Sequence, residues 1–409
     1  MPRYRSTPRS KIRDEESAMY VITLTGNDRP GLIAGITSVL AKHHVNIVDI
    51  EQTALQGLFL MFTIVDFKTS DSSFKTVMKE LREEANKLGL DIQITPYHRY
   101  AALRRLERKK LYVVTVLGRD RPGIVYALSS LFASMGVNIE KTQLIARGDI
   151  ISLQMTIDIR DCDLPSLKEK VAKKCEELGL DAVVQDYDIY KKEKRLIVFD
   201  MDSTIVDVEI INELAKAAGV SERVEDITKL AKRGEIDFEQ SLRERVRLLK
   251  GLSVDVLEKI SENLTFTPGT EELITALKRS GYKIALISGG FSYFTDKIRE
   301  KLGFDYAFGN KLVIKDGIVT GEIEGPIIDA EAKGRIIREL SQKEGISPDQ
   351  IVAVGDSAND RIMLQNAGLG VAFNAEEILR YVSDGSLSKN NLIGLLNVLG
   401  LSDVDLKGD

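Results

Sequence analysis

The segment TGNDRPGLIAGITSVLAKHHVNI at 25–47 returns as LGRDRPGIVYALSSLFASMGVNI at 117–139, so the first half of the chain must fold as two copies of one unit. KLGLD at 87–91 is answered by ELGLD at 177–181, which extends the repeat to about 80 residues. Two copies are too few to stack as a solenoid, so tandem domains are expected. Each copy opens on a β-branched alternating run, Tyr20–Thr25 or Leu111–Leu117, which predicts a half-buried strand. A Pro-Gly turn follows, then a helix with apolar positions such as Leu32, Ile36, Val39 and Leu40. Two strands and a second helix come next, the helix marked by Phe74, Met78 and Leu81 or by Leu167, Val171 and Cys175. Ile92–Thr95 or Ala182–Gln185 closes the unit. The order βαββαβ predicts an α+β, ferredoxin-like sandwich. Its open strand edges need cover, which predicts pairing between units and a homodimer.

These units are expected at 18–103 and 110–190, joined by the charged stretch Arg104–Lys110. Ahead of them, residues 1–17 carry Arg3, Arg5, Arg9, Lys11 and Arg13 and read as a disordered basic arm. No apolar stretch follows that arm to serve as a signal-peptide core or membrane span, so a cytoplasmic protein without membrane contacts is expected. The 57 Lys+Arg against 62 Asp+Glu give a net charge of −5, which supplies no general field for a nucleic-acid backbone. Cys162 and Cys175 are the only thiols and form no CxxC or Cys/His cluster, so neither a disulfide scaffold nor a zinc site is indicated.

Beyond a second basic connector, Lys191–Arg195, the pattern changes to buried apolar strands at Leu196–Phe199, Ile284–Ile287, Ile351–Val354 and Gly370–Phe373, separated by helices. This predicts an α/β domain with a parallel, Rossmann-like sheet over 195–409. The first two strands are too far apart for one crossover helix, and Ile210, Ile211, Leu214, Phe238, Leu242, Val246 and Leu249 recur at helical spacing. A helical cap is therefore expected over about 208–267. Gly309–Gly321 reads as a hairpin with an Asp-Gly turn.

Ligands of an open parallel sheet bind beyond the carboxyl ends of its strands. The first strand runs into Asp200-Met201-Asp202-Ser203-Thr204, two carboxylates on one tight turn that need a divalent cation of oxygen preference, normally Mg²⁺. The next ends in Ser288-Gly289-Gly290, whose hydroxyl and glycines suit the close approach of an anion. The third ends in Gly355-Asp356-Ser357-Ala358-Asn359-Asp360. Between them a predicted helix, Ala330–Glu344, carries Lys333, although a lone helical lysine is usually solvated. A Ser/His/Asp hydrolase finds no support, because His43, His44 and His98 all lie in the repeats, and no GxxxxGK[ST] loop is present for a nucleotide kinase.

The order DxDxT, SGG, Lys, GDSAND over about 195–400 resembles the haloacid-dehalogenase-like phosphatases, and Glu209 with the run Phe238–Arg245 resembles the cap of those that hydrolyse phosphoserine. That resemblance implies an enzyme with Asp200 as nucleophile and Asp202 as general acid and base. It implies Mg²⁺ held by Asp200, the Asp202 backbone carbonyl and Asp356, with Asp360 ordering the outer shell. Ser288, Gly289, Lys333 and Asn359 would then bind the phosphoryl oxygens, Glu209 the substrate ammonium and Arg245 its carboxylate, with Phe238 shielding the closed site. A phosphatase or phosphotransferase acting on another small amino-acid phosphate, and an amino-acid sensor with a vestigial catalytic domain, are the alternatives, though every reactive position is filled. The repeats resemble ACT domains, amino-acid-binding modules, which implies serine as an effector near Asp28, Gly31, Asp120 and Gly123. Asp28 and Asp120 have a simpler expected use as caps of the helices that follow.

Overall fold

The computed structural model describes residues 19–97, 109–146, 150–160, 162–388 and 391–401, so the basic arm, His98 and most of the Arg104–Lys110 connector lie outside the described residues. The chain divides into two compact units, one up to residue 108 and one from Lys109 onward. No helix among the described residues is long and apolar enough to cross a membrane.

The first unit contains β1 (Met19–Asn27), β2 (Asn46–Leu55), β3 (Leu58–Asp66) and β4 (Leu90–Pro96), with helices Leu32–Lys42 and Phe74–Leu88. Its sheet is antiparallel in the order β2-β3-β1-β4, the ferredoxin-like arrangement. Leu32, Ile36, Val39 and Leu40 are buried as the spacing requires, against Val77, Met78, Leu81 and Ala85 of the second helix. Phe74 is not core: it is 38% exposed and stacks on Tyr20.

Neither repeat uses its aspartate as a helix cap. The N-caps are Gly31 and Gly123, at φ 96° and 100°, with no side-chain hydrogen bond. Left-handed backbone at that point favours glycine, and it starts each helix three residues past Asp28 or Asp120, out of capping reach. An arginine from each turn, Arg29 or Arg121, instead donates to the carbonyl of Leu88 or Leu178 at the end of the unit's second helix.

The second unit joins the other repeat to the α/β region through one continuous sheet. The repeat supplies β5 (Leu111–Arg119), β6 (Asn138–Ala146), β7 (Ile150–Asp158) and β8 (Leu180–Asp186). The remainder supplies β9 (Leu196–Phe199), β10 (Lys283–Phe291), β11 (Tyr306–Lys315), β12 (Ile318–Glu324), β13 (Ile351–Gly355), β14 (Leu369–Phe373) and β15 (Gly385–Leu387). The order is β12-β11-β10-β9-β13-β14-β15-β8-β5-β7-β6. The central strands β10, β9, β13 and β14 are parallel and, apart from Lys283 at the exposed start of β10, carry no polar side chain where they pair. Asp316 and Gly317, both at positive φ, turn β11 into β12 as the Asp-Gly signal predicts. Between β9 and β10 the helices Ile210–Ala218, Ser221–Lys232, Phe238–Leu248 and Val254–Glu262 form the inserted cap, and Thr270–Arg279 then leads back into the sheet.

The sequence does not foretell the pairing of β15 with β8. β15 is three residues long, too short for a periodic signal. Its pairing covers the β8 edge within the same chain, so that edge is not left for a second unit as the open-edge argument assumed. Asp384 pins the seam. Its carbonyl accepts from Val184 N–H at 2.8 Å, and its carboxylate accepts from Gly370 N–H and from Lys168, each at 2.9 Å. Leu117 and Val183 of the repeat are buried in the α/β core, each contributing about 1.5–3 kcal/mol.

If that seam is structural, Asp384→Ala leaves Gly370 N–H without its acceptor and lowers the stability of the second unit by about 1–3 kcal/mol. In urea, probes in residues 109–190 and in 196–388 should lose structure in one coincident transition at a lower midpoint. Two separated transitions, or an unmoved midpoint, would contradict a continuous unit.

Candidate active site

The carboxyl ends of β9, β10 and β13 converge, and the residues singled out from the sequence in the α/β region meet there. Asp200 follows β9 directly and is buried at 5% exposure. Lys333, 1% exposed, stands on the helix Ala330–Glu344, started by Asp329, whose side chain accepts from Ala332 N–H at 2.8 Å. Far from being solvated, its ammonium donates to Asp200 at 2.5 Å and to Asp360 at 2.6 Å. Burial works against the Lys333 cation, but the two carboxylates outweigh it and hold the ammonium above its usual range.

Asp360 is fully buried and its second oxygen accepts from the N–H groups of Asp356 and Ser357 and from the Ser357 hydroxyl, at 3.1–3.3 Å. It holds the loop that presents Asp356. Gly355 is required there, since a methyl group would lie 2.5 Å from the Asp360 carboxyl carbon. Burial and the neighbouring Asp200 and Asp360 push the Asp356 carboxyl up to about 9.

Asp202 bridges core and cap. One oxygen accepts from Ile210 N–H at 2.8 Å, at the start of the first cap helix, and the other from the Ser288 hydroxyl at 3.2 Å. Burial, followed by the charge of Glu209, raises its carboxyl to about 7. Asp202 can therefore carry a proton near neutrality, as a general acid must. Ser288 Oγ also accepts from Gly290 N–H at 2.8 Å, which closes the loop on itself. A methyl group on Gly289 would meet Asn359 Nδ2 and Phe238 Cζ, each at 2.9 Å, so Asn359 and the Phe238 ring lie directly over this backbone. Phe238 opens the third cap helix, capped by Asp237, which accepts from Gln240 N–H at 2.7 Å.

Glu209, at the N-terminal end of the first cap helix, accepts from the Ser203 hydroxyl at 3.0 Å. Ser203 adopts φ 55°, a left-handed conformation uncommon outside glycine. No sequence signal marks that role, because Ser203 reads only as a filler in DxDxT. Arg245 is half-buried, its Nε donating to Ser241 O at 3.3 Å, while Arg243 takes the i,i+4 pairing with Glu239. Burial disfavours the Arg245 charge, partly offset by Glu209 and Asp202. Asp28, Gly31, Asp120 and Gly123 lie exposed at the turns of their own repeats.

A cation fits this donor set. Oxygens of Asp200, Asp356 and Asp360 lie within 4.8 Å of one another. Among the described residues Lys333 is the cation bonded to the cluster, through Asp200 and Asp360. An all-oxygen set suits a hard divalent ion.

Both halves of the chain are similar to known proteins. The haloacid dehalogenase-like hydrolase family matches residues 194–368, and the ACT domain family matches 18–95 and 110–185. The phosphoserine phosphatase of Archaeoglobus fulgidus is 50% identical over 84% of this chain and 98% of its own. Phosphoserine phosphatase SerB2 of Mycobacterium tuberculosis is 35% identical over 93% of each chain. The crystal structure of a probable phosphoserine phosphatase from Vibrio cholerae, in unliganded form, superposes with a TM-score of 0.58 at 34% identity, covering 72% of this chain and 88% of that one. With half of 344 aligned residues identical across 98% of one such relative, the chain belongs to the phosphoserine phosphatase family, haloacid dehalogenase-like hydrolases that here carry tandem ACT domains.

Proposed function

We propose that the chain hydrolyses O-phosphoserine to serine and phosphate with Mg²⁺, through an aspartyl-phosphate on Asp200, as the last step of serine synthesis in the cytoplasm. The observation that carries this reading is the buried Asp200 at the end of a central strand, paired with Lys333, with a second carboxyl group two residues on that is raised to about 7.

In the first half-reaction an Asp200 oxygen attacks phosphorus in line. The bond from phosphorus to the serine oxygen breaks, and the Asp202 carboxyl group gives its proton to the departing oxygen. In the second, water attacks phosphorus, its proton passes to Asp202, the bond to Asp200 breaks and phosphate leaves. Burial and the charge of Asp360 push the Asp200 carboxyl well above the usual carboxylate range, and Lys333, bonded to it, works in the opposite direction and favours the ionised nucleophile. With Ser288, Gly289 and Asn359, Lys333 also receives the phosphoryl oxygens, so positioning and fixed charge supply most of the catalysis. Mg²⁺, held by the Asp200 carboxylate, the Asp202 backbone carbonyl and Asp356, supplies charge neutralisation for the phosphoryl oxygens when bound. Asp360 orders its outer shell. Glu209 meets the ammonium of the substrate and Arg245 its carboxylate, while Phe238 keeps water from the closed site.

The ACT domains are proposed to bind serine at their Gly31 and Gly123 turns, beside Asp28 and Asp120, and to tie two chains into a homodimer. The exposed edge strand β2, with Val48 and Ile50 at 49% and 43% exposure, supports an association surface in the first unit.

Asp200→Asn keeps the side-chain shape but removes the nucleophile, so it should abolish phosphate release from a folded sample. EDTA should do the same to the parent, with Mg²⁺ restoring activity and Ca²⁺ restoring it poorly. Release at near the parent rate in either case would overturn the mechanism. Arg245→Ala should raise KM for phosphoserine at least tenfold more than for p-nitrophenyl phosphate, because a lost desolvated charge partner costs about 2–5 kcal/mol. Equal losses on both substrates would make Arg245 structural. Calorimetry of the full-length chain with serine should show binding, and its mass in solution should be that of two chains. Absence of binding counts against the sensor, and a monomer against the dimer.

A further inference from the structure

β10 leaves its ladder with β11 at the loop assigned to the phosphoryl group. Pairing is regular as far as Ile287 with Phe308 and resumes at Phe291 with Asn310. Ser288, Gly289 and Gly290 thus bulge opposite the single residue Gly309, and a bulge leaves backbone groups without ladder partners. Asn310 takes up one of them. Its side chain, 1% exposed, donates from Nδ2 to the Gly289 carbonyl at 2.8 Å. Its Oδ1 accepts from Ile328 N–H, also at 2.8 Å.

The amide can point only one way, because the reverse would set oxygen against oxygen and N–H against N–H. The second contact matters as much as the first. Ile328 immediately precedes Asp329, which caps the helix carrying Lys333 one turn further on. The Ile328 carbonyl lies 3.5 Å from where a Gly289 methyl group would sit, so the two segments run side by side. One buried amide therefore joins the segment that presents Ser288 to the segment that presents Lys333.

We propose that Asn310 is a positioning residue that sets the spacing between the Ser288–Gly290 loop and the Lys333 helix, and thereby the fit of the phosphoryl group. The inference rests on reading that loop as the phosphoryl-binding loop. Asn310 touches no reacting atom in this account. It acts by fixing two backbones, in a reaction where misplacement by about 1 Å can cost about 100-fold in rate.

The test uses the full-length enzyme with Mg²⁺ and inorganic phosphate as a product inhibitor. Asn310→Asp keeps the size of the side chain and its acceptor for Ile328 N–H, but sets an oxygen against the Gly289 carbonyl. It should lower kcat/KM about 10- to 100-fold, equally on phosphoserine and p-nitrophenyl phosphate, and weaken inhibition by phosphate about tenfold or more. If Asn310→Asp does not fold, Asn310→Ala carries the same comparison. A variant that melts earlier yet keeps the parent kcat and phosphate inhibition would overturn the proposal, since a purely structural asparagine predicts that result. Ser288→Ala separates the two levels. If it also leaves phosphate inhibition and kcat unchanged, the loop reading fails and takes the proposal with it. If Ser288→Ala is impaired and the Asn310 variants are normal, the proposal alone fails.

Discussion

The ion pairs of Lys333 with Asp200 and Asp360 are the constraint on which the rest of the site depends. Three charged groups share a place almost closed to water, and removing the cation would leave two carboxylates unpaired at a cost of about 3–5 kcal/mol. Such a cluster survives only if the backbone around it is over-determined. Asp329 starts the Lys333 helix, the parallel register of β9 with β13 sets Asp200 beside the Asp356 loop, and Asp360 fastens that loop to its own backbone. The stability of the fold and the chemistry of the site are thus one arrangement seen from two sides.

Much of this was legible from residue pattern. The repeat fixed two ferredoxin-like units, the buried runs marked the central strands, and the Ala330–Glu344 helix falls where the sequence places it. The motif residues of the α/β region share one edge because each ends a strand or starts a helix there. Other features had no local signal. Lys333 looks like any helical lysine until the sheet and Asp360 surround it, and Ser203 and Asn310 act through contacts made only by the folded chain. The expected caps at Asp28 and Asp120 failed because a left-handed glycine begins each helix later. The seam between β15 and β8 is a long-range pairing of a three-residue strand, which no window of sequence reveals.

That seam changes how regulation has to be considered. A ligand on the second repeat would act on a sheet that runs without a break to the catalytic strands. β15 pairs with β14, and the residues just beyond β14 return to the site, where Glu376 N–H donates to the Asp356 carbonyl at 3.1 Å. Glu376 also pairs with Lys232 of the cap at 2.8 Å, so one residue touches both the Asp356 loop and the cap. An effector alters catalysis only as far as it binds two states of this sheet or cap differently.

The central claim is that Asp200 becomes covalently phosphorylated. The most direct measurement is rapid acid quench of the full-length enzyme with Mg²⁺ and radiolabelled phosphoserine, followed by borohydride reduction of the acyl phosphate and mapping of the modified peptide. The account predicts label appearing on the protein before phosphate is released, with reduction at Asp200 alone. Release of phosphate with no labelled protein at any quench time, or label on another residue, would contradict it.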